Sequence, residues 1–312
     1  MSLINAESID FMGQRRKVSY LSIALIAVSL LSLLFQGLNF SQEFNGGLSI
    51  QLGFPRNTSG ESPVELVRQQ LDQSGYEQAT VVAFGSERDV LLRLANTDDP
   101  MLSDKLIEML QARIDPGIEL LSVEFVGPTA GAELRERGGL AVMLSLGMVA
   151  LYTSFRFQAK FAAGAVLSLV HDIIITLGCF SLFQWEFNLT VLAACLAVIG
   201  YSINDTIVVF DRIREVFRMQ RTLGPVEVIN TAITGTLDRT LATSFTTLLV
   251  LFALRLFGGE QLFGFSMALI IGIGVGTYSS IYIAASILLT LNVQRTDLLP
   301  PQERQAELDE LP

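Results

Sequence analysis

Four ionisable side chains lie inside stretches of sequence that are apolar enough to cross a membrane. They are His171 and Asp172 in one stretch, Asp205 in the next and Arg239 in the one after. Taking a charge out of water is costly, so an ionisable residue within a membrane span indicates function. Carboxylates and histidines exchange protons, whereas arginine stays charged. These residue types therefore favour proton transfer, with an aspartate as the titrating group and Arg239 as a fixed charge.

Helical spacing places these residues on polar rows, because side chains three or four positions apart share one face of a helix. The rows are Ser168, Asp172 and Thr176; Tyr201, Ser202 and Asp205; and Arg239, Thr243 and Thr247. We expect the three rows to face a shared hydrated cleft, where Asp205 approaches Arg239 at similar depth. Asn204 is expected to hydrogen bond to its neighbour Asp205.

Structural roles for the same residues remain open. Asp205 and Arg239 could form a static ion pair that fixes helix register, and Arg239 could be a positive anchor at the cytoplasmic start of its span. As the only histidine, His171 has no metal-site companions, so it is either a proton carrier or a hydrogen-bonded structural residue. Cys179 and Cys195 lie in apolar stretches without a CxxC pattern, which predicts buried residues and neither a disulfide nor a zinc site.

Composition places the chain among membrane proteins. Half of the residues are apolar and 17% are charged, a balance unlike that of soluble domains. A formal net charge of −10 argues against binding to nucleic acid. Apolar runs near or above the roughly 18 residues of a spanning helix occur at 18–34, 139–155, 161–183, 189–210, 240–257 and 262–291. We number these six predicted helices span 1 to span 6.

The distribution of Lys and Arg predicts orientation. Basic residues are concentrated in "GQRRK" before span 1, "RFQAK" between spans 2 and 3, and "DRIREVFRMQRTLG" after span 4, which should be cytoplasmic. The links "QWEFN" and "GGEQ" have no Lys or Arg and should lie on the other side. The predicted organisation is a cytoplasmic N-terminus at 1–17, span 1 at 18–35, an extracytoplasmic domain at 36–138, spans 2 to 6 at 139–291, and an acidic cytoplasmic tail at 292–312.

The segment 36–138 is the one part long enough to form a water-soluble domain. Its alternating and helical patterns predict a strand in "GGLSIQLGF", a helix in "SPVELVRQQLDQSG", strands in "ATVVAF" and "DVLLRLA", a helix in "MLSDKLIEMLQARI" and a strand in "IELLSVEFVG". The order β-α-β-β-α-β is that of the ferredoxin-like fold. The fold class is thus an α-helical membrane protein of six spans with an α+β domain between spans 1 and 2.

Span 6 contains the glycine-rich sequence "GIGVGTYSS". It lacks the preceding strand and the downstream acidic residue of a dinucleotide-binding loop, so no cofactor is expected there. Small residues instead recur every four positions, which predicts a surface where another helix of the chain or of a partner approaches closely. These residues are Ala268, Gly272, Gly276, Ser280 and Ala284.

Four sequences resemble the SecF family, membrane subunits of the bacterial SecDF protein-export complex in the RND superfamily. They are "VIGYSINDTIVVFDRIRE", "LVHDIIITLG", "TLDRTLATSFTTLL" and "FNGGLSIQL", and the resemblance extends over nearly the whole chain. Two departures are Phe210 before "DRIRE" and Asp238 before Arg239. The extra carboxylate of Asp238 could share the charge of Arg239 and weaken its pairing with Asp205.

The resemblance implies a non-enzymatic accessory subunit of the bacterial cytoplasmic (inner) membrane, with both termini in the cytoplasm. It implies pairing with SecD, association with the SecYEG channel, and use of the proton-motive force to help preproteins cross the lipid bilayer. Asp205 and Arg239 fall on the family positions linked to proton conduction. Ser202, Asn204, Asp172, His171 and Thr243 are further candidates for a polar pathway; no metal ligand is expected.

Three other functions were weighed against this one. A structural scaffold would use the same charges only to hold helices together. An RND-type proton antiporter of small molecules generally has twice as many spans, so this chain would be half of such a unit. An intramembrane aspartyl protease built on Asp172 and Asp205 is disfavoured, because their predicted depths differ and the close-packed glycine used by such proteases does not precede Asp205.

Overall fold

The structure is a computed structural model that describes residues 9–55, 62–76, 79–84, 86–95, 101–220 and 222–298. Within these ranges six helices are long and apolar enough to cross a membrane, which confirms the predicted number of spans. The acidic sequence predicted to form the end of the cytoplasmic tail, at 301–312, lies outside the described residues, as do residues 1–8.

Helices account for most of the described chain, because a backbone in lipid must satisfy its own hydrogen bonds. The helices are α1 (Arg15–Phe35), α2 (Gln42–Asn45), α3 (Pro63–Gln73), α4 (Leu102–Arg113), α5 (Pro128–Arg156), α6 (Ala159–Leu182), α7 (Leu189–Met219), α8 (Pro225–Phe257), α9 (Phe263–Tyr278) and α10 (Ala284–Thr290). Spans 1 to 5 are α1, α5, α6, α7 and α8. Span 6 consists of α9, a π-helical turn at Ser279–Ile283, and α10.

Three spans are longer than the apolar runs that predicted them. Helix α5 begins at Pro128, α7 continues to Met219, and α8 begins at Pro225. Hydropathy marks only the part of a helix that lies in hydrocarbon, and the charged ends of these helices project beyond it. One consequence is that Arg239, predicted near the start of span 5, lies well inside α8.

The strands are β1 (Asn39–Phe40), β2 (Gly47–Gly53), β3 (Thr80–Phe84), β4 (Ser86–Ala95), β5 (Glu119–Val126) and β6 (Glu186–Phe187). Four of them form an antiparallel sheet in the order β3-β4-β2-β5. With α3 and α4 this is the predicted ferredoxin-like arrangement, which is confirmed. Leu48, Ile50 and Leu52 alternate along β2 and are fully buried in the core shared with the two helices.

The small residues of span 6 make its close contact with α7 possible. A Cβ added at Gly272 would lie 2.2 Å from the side chain of Val198, and one at Gly276 would lie 3.1 Å from Ser202. Ala268 and Ala284 are fully buried. The predicted helix-contact surface is therefore confirmed, and α7 of the same chain occupies it.

Candidate functional site

A fully buried carboxylate, that of Asp172, lies where α6, α7 and span 6 meet. Its Oδ2 accepts hydrogen bonds from Ser202 Oγ at 2.6 Å and from Ser279 Oγ at 2.8 Å. Its Oδ1 is 2.9 Å from Nδ1 of His171. Both oxygens thus have partners, and one side chain connects three spans.

The helix contacts around Asp172 depend on two local features of span 6. Gly276 lets the helix come close, since a Cβ there would meet both Ser202 and, at 3.5 Å, Asp172 Oδ2. Ser279 begins the π-helical turn, a type of distortion that redirects side chains and often occurs at functional sites. The 3.6-residue periodicity used to read the sequence does not predict such a turn, so Ser279 was missed.

Asp205 on α7 is also buried, with 4% of its surface exposed, but its surroundings differ. Its Oδ2 is enclosed and has no hydrogen-bond partner among the described residues. The Ser244 hydroxyl and the Arg239 guanidinium, both on α8, act on this carboxylate electrostatically. An enclosed polar atom without a partner is uncommon in folded proteins and is a mark of functional sites.

Hydroxyl groups from three helices surround Asp205. Ser244 Oγ is 2.7 Å from Thr277 Oγ1, and Thr206 Oγ1 is 2.9 Å from Ser280 Oγ. A hydroxyl both donates and accepts, so such groups can rearrange around a carboxylate as it gains or loses a proton. Sequence reasoning had placed Ser280 in the helix-contact row and did not single out the other three.

The two carboxylates occupy successive layers of one polar interior. Ser202, which binds Asp172, precedes Asp205 by three positions on the same face of α7, a rise of roughly 4.5 Å. Thr277, Ser279 and Ser280 of span 6 contact both layers. No direct hydrogen bond joins the two aspartates within the described part of the chain.

The expected inward row of span 5 is wrong in phase. Arg239 and Thr243 are exposed and Thr247 is half-buried, and Arg239 forms no ion pair with another described residue. Thr243 Oγ1 bonds to the backbone oxygen of Arg239 at 3.0 Å. The residues that face inward are Thr236, Thr240 and Ser244. Two adjacent rows of α8 have the same four-residue spacing, and spacing alone does not choose between them.

The expected hydrogen bond between Asn204 and Asp205 is also absent. Asn204 is exposed and its side chain bonds to no other described residue, because successive positions of a helix point about 100° apart. Asp238 is exposed as well. Of the seven candidate site residues, the structure brings together His171, Asp172, Ser202 and Asp205, and it leaves Asn204, Arg239 and Thr243 on the outer surface of α7 and α8.

Fold and site together define a polytopic membrane protein with two buried carboxylates in its helix bundle and a ferredoxin-like domain between its first two spans. Residues 106–294 match the family described as "Protein export membrane protein SecD/SecF, C-terminal". The chain is 50% identical over 305 residues to the protein translocase subunit SecF of Pseudomonas aeruginosa, covering 96% of this chain and 97% of that protein. It is 46% identical to SecF of Vibrio alginolyticus, covering 99% of each. The chain belongs to the SecF family of protein translocase subunits.

Two solved structures share the fold. The crystal structure of SecDF from Thermus thermophilus, described as a translocon-associated membrane protein, aligns with a TM-score of 0.81 and 35% identity over 94% of this chain. SecDF in the super-membrane-facing form aligns with a TM-score of 0.69 and 34% identity over 99% of this chain. The chain spans 40% and 41% of the length of those SecDF chains.

Proposed function

We propose that this SecF-family subunit assists protein export by passing protons through its polar interior, with Asp205 as the proton carrier. In this proposal it works with SecD and the SecYEG channel in the bacterial inner membrane, with both termini in the cytoplasm, and the proton-motive force supplies the energy that helps a preprotein cross. The observation that carries the proposal is the enclosed Asp205 oxygen without a hydrogen-bond partner.

The contrast between the two buried aspartates supports the choice of carrier. The carboxylate of Asp172 is held by hydroxyl groups of two other spans, so its position and surroundings are fixed. Asp205 has an unused oxygen and adjustable hydroxyl neighbours. A buried carboxylate without partners is costly while charged, and it is relieved by binding a proton or by meeting a cation. Asp205 is the group whose partners can change during a cycle.

Arg239 supplies the cation in a second arrangement of the helices. Its neighbour Thr240 is buried and faces inward, whereas Arg239 itself is exposed. A rotation of α8 by about one residue position, roughly 100°, or a swing of the long arginine side chain, would exchange the two. A charged Asp205 would favour the arrangement with Arg239 nearby, and a protonated Asp205 would favour the arrangement in the structure.

The transmembrane potential provides enough energy for such a switch. It supplies about 2.3 kcal/mol per charge per 100 mV, comparable with the ~1–3 kcal/mol of typical coupling free energies. If the orientation predicted from the basic loops holds, Asp172 lies on the outer side of Asp205 along the inward path. His171, Asp172 and Ser202 then form an outer polar layer that protons reach first, and Asp205 forms the layer nearer the cytoplasm.

A partner subunit is required by the outer surface of the bundle. Asn204, Arg239 and Thr243 are exposed within membrane spans, where polar side chains facing lipid are unfavourable. Cover by another set of helices removes that cost. The SecDF structures that this chain resembles are more than twice its length, which supports SecD as the subunit that supplies the cover.

Preprotein translocation into vesicles tests the proposal. The complex of this chain with SecD and SecYEG is compared with and without a proton gradient, using Asp205→Asn and the matched control Asp238→Asn, an exposed carboxylate. We expect the gradient-dependent stimulation to disappear in Asp205→Asn and to persist in Asp238→Asn. Assembly is checked by copurification with SecD. Full stimulation in an assembled Asp205→Asn complex would refute the assignment and favour a scaffold role.

A further inference from the structure

The ferredoxin-like domain is joined to the outer ends of the membrane helices by an ion pair. Arg93 Nη1 on β4 is 2.6 Å from Glu186 Oε2 on β6, in the link between spans 3 and 4, and both side chains are about one-third exposed. Leu92 and Leu94 on either side of Arg93 are buried in the domain core, so Arg93 points from the opposite face of the sheet. The pair therefore connects the open face of the domain to the bundle.

The same link is bound to the chain that leaves span 1. Strands β1 and β6 pair in parallel, with Asn39 opposite Glu186 and Phe40 opposite Phe187. The backbone nitrogen of Ser41 also donates to the oxygen of Phe187 at 2.9 Å. Glu186 is thus held on a short two-stranded sheet and is not on a free loop.

A second carboxylate ties this region directly to the helix that carries Asp205. Glu43 on α2 accepts a hydrogen bond at 2.7 Å from the backbone nitrogen of Leu189, the first residue of α7. The first N–H groups of a helix have no partner within the helix, and the helix dipole favours a negative charge there. Glu43 therefore caps span 4 from outside its own sequence, beside the Asn188 side chain that caps Val191 at 2.9 Å.

Helix α2 is fixed in place by close backbone contact with α5. A Cβ at Gly131 would lie 2.7 Å from the nitrogen of Gly46 and 2.9 Å from the oxygen of Phe44. Gly46 has a φ of +77°, a conformation that favours glycine. Phe44 is buried against Phe187, with ring centroids 5.8 Å apart. A displacement of the outer end of α7 is consequently transmitted to Glu43 and Glu186 as a unit.

The contact between domain and bundle at this point is polar and therefore suited to opening. A cavity of about 70 Å³ separates the two, lined by Glu43, Arg93, Glu124 and Glu186 among other residues. Both polar atoms of the Gln42 amide, which also lines the cavity, are enclosed without a partner among the described residues. Polar contacts between domains permit relative motion, whereas a large apolar contact would prevent it.

We propose that Arg93, Glu186 and Glu43 form a latch that couples the orientation of the ferredoxin-like domain to the position of α7. The inference rests on the proposed function, because its consequence is that a shift of α7 at Asp205 releases or engages the domain at the outer membrane surface. The three are positioning residues that act through α7. Their chemistry is a salt bridge and a charge-assisted helix cap.

Charge exchange across the ion pair tests the latch. Arg93→Glu, Glu186→Arg and the double exchange are compared in the full complex with SecD and SecYEG, with Arg68→Glu as control because Arg68 pairs with Glu65 within α3. Each single latch variant should lower gradient-stimulated translocation by about fivefold, the upper size expected for a partly exposed ion pair. The double exchange should restore it to within about twofold, and translocation without a gradient should not change. Harmless single variants, or a double exchange as impaired as either single one, would overturn the latch.

A direct measurement of domain orientation makes the result independent of translocation. Spin labels at Asp72→Cys on the domain and Gln261→Cys on the outer link between spans 5 and 6, both exposed, are introduced with Cys179 and Cys195 replaced. The distance distribution should broaden in Arg93→Glu and narrow again in the double exchange. Identical distributions would contradict the latch even if the singles impair translocation.

Locking the latch provides the opposite perturbation. Arg93→Cys and Glu186→Cys, joined by a short cleavable crosslinker in the same background, should abolish gradient stimulation until the linker is cleaved. Full activity of the crosslinked complex would overturn the proposal. Asp205→Asn separates the two levels of inference: if it abolishes stimulation while the latch variants do not, only the latch fails, and if it leaves stimulation intact, the proposed function fails.

Discussion

Removing each buried aspartate should have different effects on stability. In Asp172→Ala, the hydroxyls of Ser202 and Ser279 and the ring of His171 lose their shared acceptor. Hydrogen bonds between membrane helices contribute roughly 0.6 kcal/mol each on average and up to about 1.7. Three such contacts give an expected loss of about 2–5 kcal/mol. In Asp205→Ala, the removed Oδ2 had no partner, so we expect a change below about 1 kcal/mol, in either direction.

Both variants are measured by reversible denaturation of the purified chain in detergent, with circular dichroism of the helices as the signal and wild type as reference. The two substitutions remove the same atoms from fully or almost fully buried sites, so differences in side-chain volume cancel. Equal destabilisation by the two variants would refute the distinction between a fixed carboxylate at Asp172 and an unpaired one at Asp205.

Three further changes are informative. Ser244→Ala should reduce gradient-stimulated translocation because the Ser244 hydroxyl contacts Thr277 and acts on Asp205, whereas Thr246→Ala, whose exposed hydroxyl bonds to its own helix backbone, should not; equal activity of the two would count against a role for the inner hydroxyls. Gly272→Leu should destabilise the bundle by more than ~2 kcal/mol, measured by denaturation, because a Cβ there already overlaps Val198; the control Gly274→Leu has open space, and similar losses in both would be contrary to expectation. Asn204→Leu should weaken copurification with SecD if this face is covered by the partner, and unchanged recovery would argue that the face meets lipid.

Hydropathy and strand alternation were sufficient to predict the six spans and the ferredoxin-like domain, because burial in lipid or in a domain core imposes a strong and regular pattern. Asp172 and Asp205 were identified from the cost of placing charge in a membrane. The rotation of α8 was not predicted, since leucine and phenylalanine suit lipid as well as the bundle interior. Leu241, Phe245 and Leu249 are in fact exposed.

Hydroxyl residues of span 6 were harder to find for a different reason. Serine and threonine in an apolar helix can bond to their own backbone, as Thr277 does to the oxygen of Ile273 at 2.8 Å, so they do not require a partner on another helix. Only the three-dimensional contact reveals that Thr277 meets Ser244 and that Ser279 meets Asp172. The π-helical turn at Ser279 has no periodicity of its own in the sequence.

Proton flux tests the central claim most directly. The complex of this chain with SecD is reconstituted in vesicles that contain an internal pH indicator, an inward proton gradient is applied, and acidification of the interior is followed for wild type, Asp205→Asn and Asp238→Asn. The account predicts flux in wild type and Asp238→Asn, and loss of flux in Asp205→Asn with assembly intact. Flux through Asp205→Asn equal to that of wild type would contradict the assignment of Asp205 as the proton carrier.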